Sequence, residues 1–159
     1  MIVVDPKSKF GMELFLKDWG VLLGGDIVID PMSKLFGGAF AAPVVNQYTV
    51  HDITREFVLA TIFPIIQSVR AITGSRIQTV ELLKTRENSW GESDFESGTV
   101  KFDTGSDLKG PIPIAVVATK LIGAEKSHKE NEESHEHDEP QPKATLIVIG
   151  DSDFSTNRY

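Results

Sequence analysis

The sequence predicts a layered α/β domain built on a mainly parallel sheet, and three observations carry that expectation. Four short runs, Ile2-Val3-Val4 and residues 26–30 (DIVID), 113–119 (PIAVVAT) and 146–149 (LIVI), are apolar at consecutive positions and rich in β-branched side chains, the pattern of strands covered on both faces. Between the first two runs, Met12, Phe15, Leu16 and Trp19 recur at three- and four-residue spacing and Gly20 follows as a stop, so residues 10–19 read as one amphipathic helix. Strand, helix and strand in such close succession compose a βαβ unit, whose parallel crossover is right-handed.

The remaining elements follow in chain order. Residues 43–48, 63–72 and 76–85 carry apolar positions broken by Gln, Ser and Arg, which suits half-exposed strands added to the sheet as a hairpin, with Thr73-Gly74-Ser75 as its turn. Residues 51–57 read as a short helix, and residues 98–103 (GTVKFD) as a further short strand. Residues 125–143 hold seven acids, three lysines, three of the four histidines and two prolines, with no core-forming side chain. That stretch cannot pack, and with apolar runs on both sides it reads as a disordered acidic and His-rich insertion within a single α/β domain spanning residues 1–159. Ile2 already sits in a core-like strand and Tyr159 follows a strand–loop junction, so the chain is expected to be a fragment of a longer protein.

Composition removes whole classes of function. With 159 residues, 40% hydrophobic and 25% charged, the chain suits one domain with its own core. The absence of cysteine excludes disulfides, thiolate metal sites and cysteine nucleophiles. A formal charge of −7 opposes binding to nucleic acid or anionic membrane, and no apolar run approaches the ~18 residues of a membrane span, so no direct membrane insertion is expected. Outside residues 125–143 the acids and bases number 16 and 13, so the acidity belongs mostly to the insertion.

Two predicted strand ends stand out as candidate sites: Val4-Asp5-Pro6, and Gly150-Asp151-Ser152-Asp153-Phe154. Carboxyl ends of parallel strands are where ligands gather in open α/β sheets, so Asp5, Asp151, Ser152 and Asp153 are the candidates for binding a ligand or partner. The three carboxylates offer hard oxygen ligands for Mg²⁺ or Ca²⁺, which would suit a metal-dependent hydrolase; the same residue types also cap helices and close Asx turns. Gly24-Gly25 and Gly37-Gly38 match neither a dinucleotide fingerprint nor a P-loop, and no G-x-S-x-G motif is present. His51 reads as a helix-start or packing residue. His128, His135 and His137 offer imidazole ligands without an ordered scaffold, so no metal site is assigned to them. Residues 35–40 (LFGGAF) are candidates for an exposed apolar docking loop.

Taken in order, the runs Val4-Asp5-Pro6-Lys7-Ser8, Gly11-Met12-Glu13, Trp19-Gly20-Val21 and Asp26-Ile27-Val28-Ile29-Asp30-Pro31 begin a series of signposts. Pro43-Val44-Val45-Asn46-Gln47-Tyr48, His51-Asp52-Ile53-Thr54, Phe63-Pro64, Ser68-Val69-Arg70, Ser89-Trp90-Gly91-Glu92 and Val148-Ile149-Gly150-Asp151-Ser152-Asp153-Phe154 continue it. In this order and spacing the chain resembles the auxiliary component of ABC-type transport systems associated with gliding motility, over nearly its whole length. The resemblance implies a flavodoxin-like or glutamine-amidotransferase-like sheet in a membrane-anchored protein at the periplasmic face of the bacterial inner membrane. It also implies ABC permease and ATPase subunits as partners, and assembly rather than catalysis. On that basis the expected function is a non-catalytic binding or assembly module without cofactor. The alternatives are a receptor for a small solute such as a carbohydrate or peptide, and the hydrolase above. Asp52 stands where a proline is common in that family, and the His/Glu-rich insertion departs from its pattern.

Overall fold

The computed structural model describes residues 1–8, 11–73, 77–98, 100–122 and 142–155. In chain order the regular elements are β1 (Ile2–Val3), helix α1 (Glu13–Asp18), β2 (Val21–Leu23), β3 (Ile27–Ile29), β4 (Val44–Val45), β5 (Gln47–Tyr48), β6 (Thr61–Ile62), β7 (Val69–Ala71), β8 (Gln78–Lys84), β9 (Trp90–Glu92), β10 (Leu108–Lys109), β11 (Pro113–Leu121) and β12 (Lys143–Ile149). Short 3₁₀ turns cover Pro31–Phe36, Phe95–Ser97 and Asp153–Ser155.

Strands make up 35% of the structure and helices 13%, which overturns the expected mainly parallel, flavodoxin-like or glutamine-amidotransferase-like α/β body. The principal sheet has the order β1-β12-β11-β8-β5, and only its β1–β12 pair is parallel. Smaller sheets join β10-β9-β3, β2-β7 and β4-β6, all antiparallel.

The predicted βαβ unit does not form. Helix α1 is six residues long and ends where Gly20, at φ 73°, donates its N–H to Lys17 O; β2 then pairs with β7, and β3 pairs with β9 instead of β1. Phe10, the first residue of the predicted helix, lies outside the described residues. The predicted hairpin of residues 63–72 and 76–85 is also absent, because β7 and β8 join different sheets. Its turn residues Gly74 and Ser75 lie outside the described part. Residues 51–57 make a single turn, with Arg55 N and Thr54 N both donating to His51 O, and the described residues of 98–103 form no strand.

The apolar runs themselves sit where predicted, and their composition explains the core. Pro113 to Ala118 are all buried because β11 is central in the sheet and both its faces are covered. On one face Ile112, Ile114, Val116 and Ala118 lie under a second layer of short elements. Leu16 of α1, Val21 of β2 and Val69 of β7 pack with Val116, Ala118, Leu146 and Val148; Val28, Val45, Phe63 and Ile66 pack with Ile112 and Ile114. The opposite face buries Leu82, Ala115 and Val117.

Residues 61–71 thread this second layer as one extended segment. Phe63 N and Ile65 N donate to Pro43 O and Ala41 O, Val28 N to Ile66 O, Gly24 N to Ser68 O, and β7 then pairs with β2. Leu121 faces Lys143 across the β11–β12 pair, so the acidic segment connects two paired strands; apart from Pro142 and Lys143 its residues, with His128, His135 and His137, lie outside the described part.

Candidate functional site

Parallel neighbours end side by side, and this places the candidate residues. Val3 is in register with Ile149, so Asp5 and Asp151 each emerge two residues beyond a paired position at the same end of the sheet. The structure brings Asp5, Asp151, Ser152 and Asp153 into one loop cluster. Ser152 grips the Asp5 carboxylate at two points: its N–H donates to Oδ1 at 2.8 Å and its hydroxyl to Oδ2 at 2.8 Å. Asp151 Oδ1 accepts the Asp153 N–H at 2.7 Å, which caps the 3₁₀ turn of Asp153–Ser155, and Ser155 closes that turn onto Ser152 O. These are the capping bonds expected of Asp and Ser at strand ends. Among the described residues, no group of three or more His, Cys, Asp or Glu is disposed to hold a metal ion.

Sequence reasoning missed the residue that ties this cluster together. Gln67 is buried at 2% exposure; its Nε2 donates to Val4 O at 2.9 Å and Asp5 O at 3.0 Å, while its Oε1 accepts the Gly25 N–H at 3.1 Å. Its backbone N–H donates to Gly150 O, and a Cβ on Gly150 would run into the Gln67 carbonyl. One residue thus joins both strand ends to the β2–β3 turn, the β1 end through its side-chain amide and the β12 end through its backbone N–H. A lone Gln in an apolar run carries no periodic signal that distinguishes it from an exposed strand residue.

Asp151 is 1% exposed, and its Oδ2 is buried without a hydrogen-bond partner. Burial pushes its carboxyl up to about 6; the Asp153 N–H opposes that rise, and the charges of Asp153 and Asp5 add to it. A carboxyl raised from its ordinary 3.8 holds its proton more tightly folded than unfolded. Its stabilising contribution is therefore complete below pH 3.8, falls as pH rises, and is gone above about 6. At ~1.4 kcal/mol per pH unit, discounted because the Asp5 charge that adds to the rise is screened by solvent, this amounts to about 1–2 kcal/mol. Asp151→Asn is expected to abolish that decline in urea-unfolding free energy between pH 4 and 6, and to equal or exceed the parent in stability at neutral pH. Asp107 does not confuse the window. Burial pushes its carboxyl up, but the N–H groups of Asp103 and Ser93 together with the Ser93 and Ser106 hydroxyls outweigh this and leave it lowered, so its contribution is lost only at pH below the ordinary carboxylate range.

Beside the capped loop lies an apolar groove of about 530 Å³, lined by Ala39, Ala41, Ala42, Ile62, Pro64, Ile65 and Phe154, with Asp153 as its charged member. Its floor is fixed by the Phe63–Phe154 ring contact at 5.7 Å between centroids and by the backbone bonds from Phe63 and Ile65 to residues 43 and 41. On the other side Asp30 accepts the Met32 N–H at 3.0 Å and starts the Pro31–Phe36 turn. That turn leads into the predicted docking loop, where Leu35 and Phe40 are exposed and Lys34 Nζ sits 3.9 Å over the Phe40 ring. Ile65 is held at φ 56°, a left-handed conformation that β-branched side chains disfavour, and is still 49% exposed. His51 takes no part: its Nδ1 accepts the Ile53 N–H at 3.2 Å as a local turn bond.

Compared with family models, with curated proteins and with solved structures, the chain matches none.

Proposed function

We propose that this chain is a non-catalytic binding and assembly module of an ABC-type transport system, of the kind associated with gliding motility, working at the extracytoplasmic face of the bacterial inner membrane. The order of sequence signposts supports the transport assignment, and the groove beside the strand-end loop supports a docking role. In this reading Asp5, Ser152 and Asp151 are a frame that holds Asp153 and Phe154 at the groove, and the permease and ATPase are the partners the full assembly brings together. The hydrolase alternative is the less favoured reading, because the Asp5 and Asp151 carboxylates are turned into capping bonds and the described residues hold no group of three or more His, Cys, Asp or Glu disposed around a metal ion.

The observation that carries the docking role is Ile65. A β-branched residue in left-handed backbone costs roughly 1–2 kcal/mol relative to an ordinary conformation, and half of this side chain faces solvent, so little burial offsets the cost. Strain retained on an exposed apolar wall favours a side chain held for contact with a partner. Asn tolerates left-handed backbone, so Ile65→Asn is expected to leave thermal stability unchanged or raise it, by up to about 1 kcal/mol. The same variant should weaken recovery of ABC permease and ATPase subunits when the protein is purified from its own membranes after mild cross-linking. Failure of the parent protein to enrich any transporter subunit would remove the transport assignment.

A further inference from the structure

The end of β9 and the loop that leads into β10 enclose a second cavity, which shares no lining residue with the apolar groove. Its volume is about 630 Å³, within the ~300–1,000 Å³ of small-molecule sites. Asp107 builds it. Its Oδ1 accepts the Ser93 N–H at 3.0 Å and the Ser93 hydroxyl at 2.9 Å, and its Oδ2 accepts the Asp103 N–H at 2.8 Å, so one carboxylate pins the loop to the end of β9. Trp90 Nε1 donates to Glu92 Oε2 at 3.2 Å, and the Trp90 ring meets the Phe102 ring edge-on with centroids 6.4 Å apart, which fixes Glu92 and Phe102 in the lining.

The groups that this frame leaves uncommitted are of three kinds. Among the described residues, the Asp94 carboxylate, Lys101 Nζ and the Thr104 hydroxyl have no hydrogen-bond or ion-pair partner, and Asp103 spends only Oδ1, on the Gly105 N–H at 3.1 Å. A carboxylate only accepts, an ammonium only donates, and a hydroxyl does both. An amine would satisfy the acids and be repelled by Lys101; an anion would satisfy Lys101 and be repelled by the acids. A neutral ligand carrying several hydroxyls serves all three, and a pyranose adds a face of C–H groups that packs on an aromatic ring such as Phe102.

We infer that this cavity binds a sugar, a mono- or disaccharide whose hydroxyls donate to Asp94 and Asp103, accept from Lys101 and pair with Thr104 while its ring packs on Phe102. The site is separate from the docking role proposed above, and neither depends on the other.

The test follows the indole N–H resonances of Trp19 and Trp90 in the 159-residue chain by NMR while glucose, galactose, N-acetylglucosamine, maltose and cellobiose are each added up to about 50 mM. The Trp90 N–H is bonded to a carboxylate of the lining and reports the cavity; Trp19, at the end of α1, is the reference. At least one sugar should shift Trp90 saturably, with Kd in the millimolar range or tighter, and leave Trp19 unmoved. Asp94→Ala and Lys101→Met remove side chains without partners in the fold, so each should keep the melting temperature and weaken that binding by about three- to tenfold. Phe102→Leu keeps apolar packing on Trp90 without a ring and should weaken binding by at least about tenfold; the Asp94 and Lys101 variants decide the matter should it melt early. Putrescine and inorganic phosphate, added in place of sugar, should leave Trp90 unmoved. Absence of a saturable Trp90 shift with every one of these sugars, a shift that persists undiminished in Asp94→Ala and Lys101→Met, or a shift caused by putrescine or phosphate and by none of the sugars would overturn the inference.

Discussion

Replacing Gln67 with alanine is expected to destabilise the protein by about 3 kcal/mol and to loosen the strand-end loop before the rest of the sheet. The side chain is almost fully buried and makes three hydrogen bonds, to Val4 O, Asp5 O and from Gly25 N. Each buried polar group left unpaired costs about 1–3 kcal/mol, and the truncation adds a cavity. Water entering at the loop edge offsets part of this at Asp5, which is exposed, and very little at Val4, which is buried. Gln67→Glu separates hydrogen bonding from volume: it keeps the shape but cannot donate to the two carbonyls, so it should cost at least as much as Gln67→Ala. Urea unfolding gives the stability change, and amide exchange at Ser152 reports the loop, because its N–H is protected by Asp5 only while β1 and β12 end side by side. A loss below about 1 kcal/mol in both variants would mean that Gln67 does not tie the loop.

The same residue marks the limit of what the sequence discloses. The apolar runs at 2–4, 26–30, 113–119 and 146–149 are legible as strands because β-branched side chains on consecutive positions need cover on both faces. They do not disclose strand direction. Both a parallel α/β sheet and an antiparallel sheet under a second layer provide that cover, and β11 obtains it from the second. What decides between them is the number and length of helices. Met12, Phe15, Leu16 and Trp19 give a correct helical spacing, but Gly20 ends the helix after six residues, too short for a crossover that would return β3 alongside β1. The meeting of Asp5 with Asp151 was legible for a reason that survives the change of fold: the two strands that carry them are the one parallel pair among the described residues. The groove was only partly legible. Residues 35–40 stand out as an apolar Gly-rich loop, whereas Ala41, Ala42, Ile62 and Ile65 come together through the pairing of Val44 with Ile62 and of Val45 with Thr61, segments distant in sequence.

Asp26 supplies the other large effect, and it bears on that pairing. Its carboxylate is 6% exposed and accepts two bonds from Ser68, from the N–H to Oδ1 at 2.7 Å and from the hydroxyl to Oδ2 at 2.8 Å. Gly24 and Gly91 press against it so closely that a Cβ on Gly91 would overlap Oδ2 and a Cβ on Gly24 would overlap both Oδ2 and the Ser68 hydroxyl. Asp26→Ala is therefore expected to cost about 3–4 kcal/mol, since it strands two buried donors and opens a space that neither glycine can fill. Asp26→Asn keeps the shape, accepts the Ser68 N–H through Oδ1 and donates from Nδ2 to the hydroxyl, so it should cost only about 1 kcal/mol. The steric account makes a sharper demand on the pair. Gly91→Ala should destabilise the parent by about 2–3 kcal/mol through overpacking and should cost far less once Asp26 is alanine, which leaves room for the new methyl group. A double-mutant cycle by urea unfolding measures that coupling, and additive losses would show that Gly91 is glycine for a reason other than the carboxylate. Ser68 lies three residues beyond Ile65 on the segment that threads the second layer. Fixing it from beneath restrains the Ile62 and Ile65 wall of the groove, so Asp26→Ala should also weaken recovery of transporter subunits under conditions where the chain is still folded, whereas Asp26→Asn should leave that recovery unchanged.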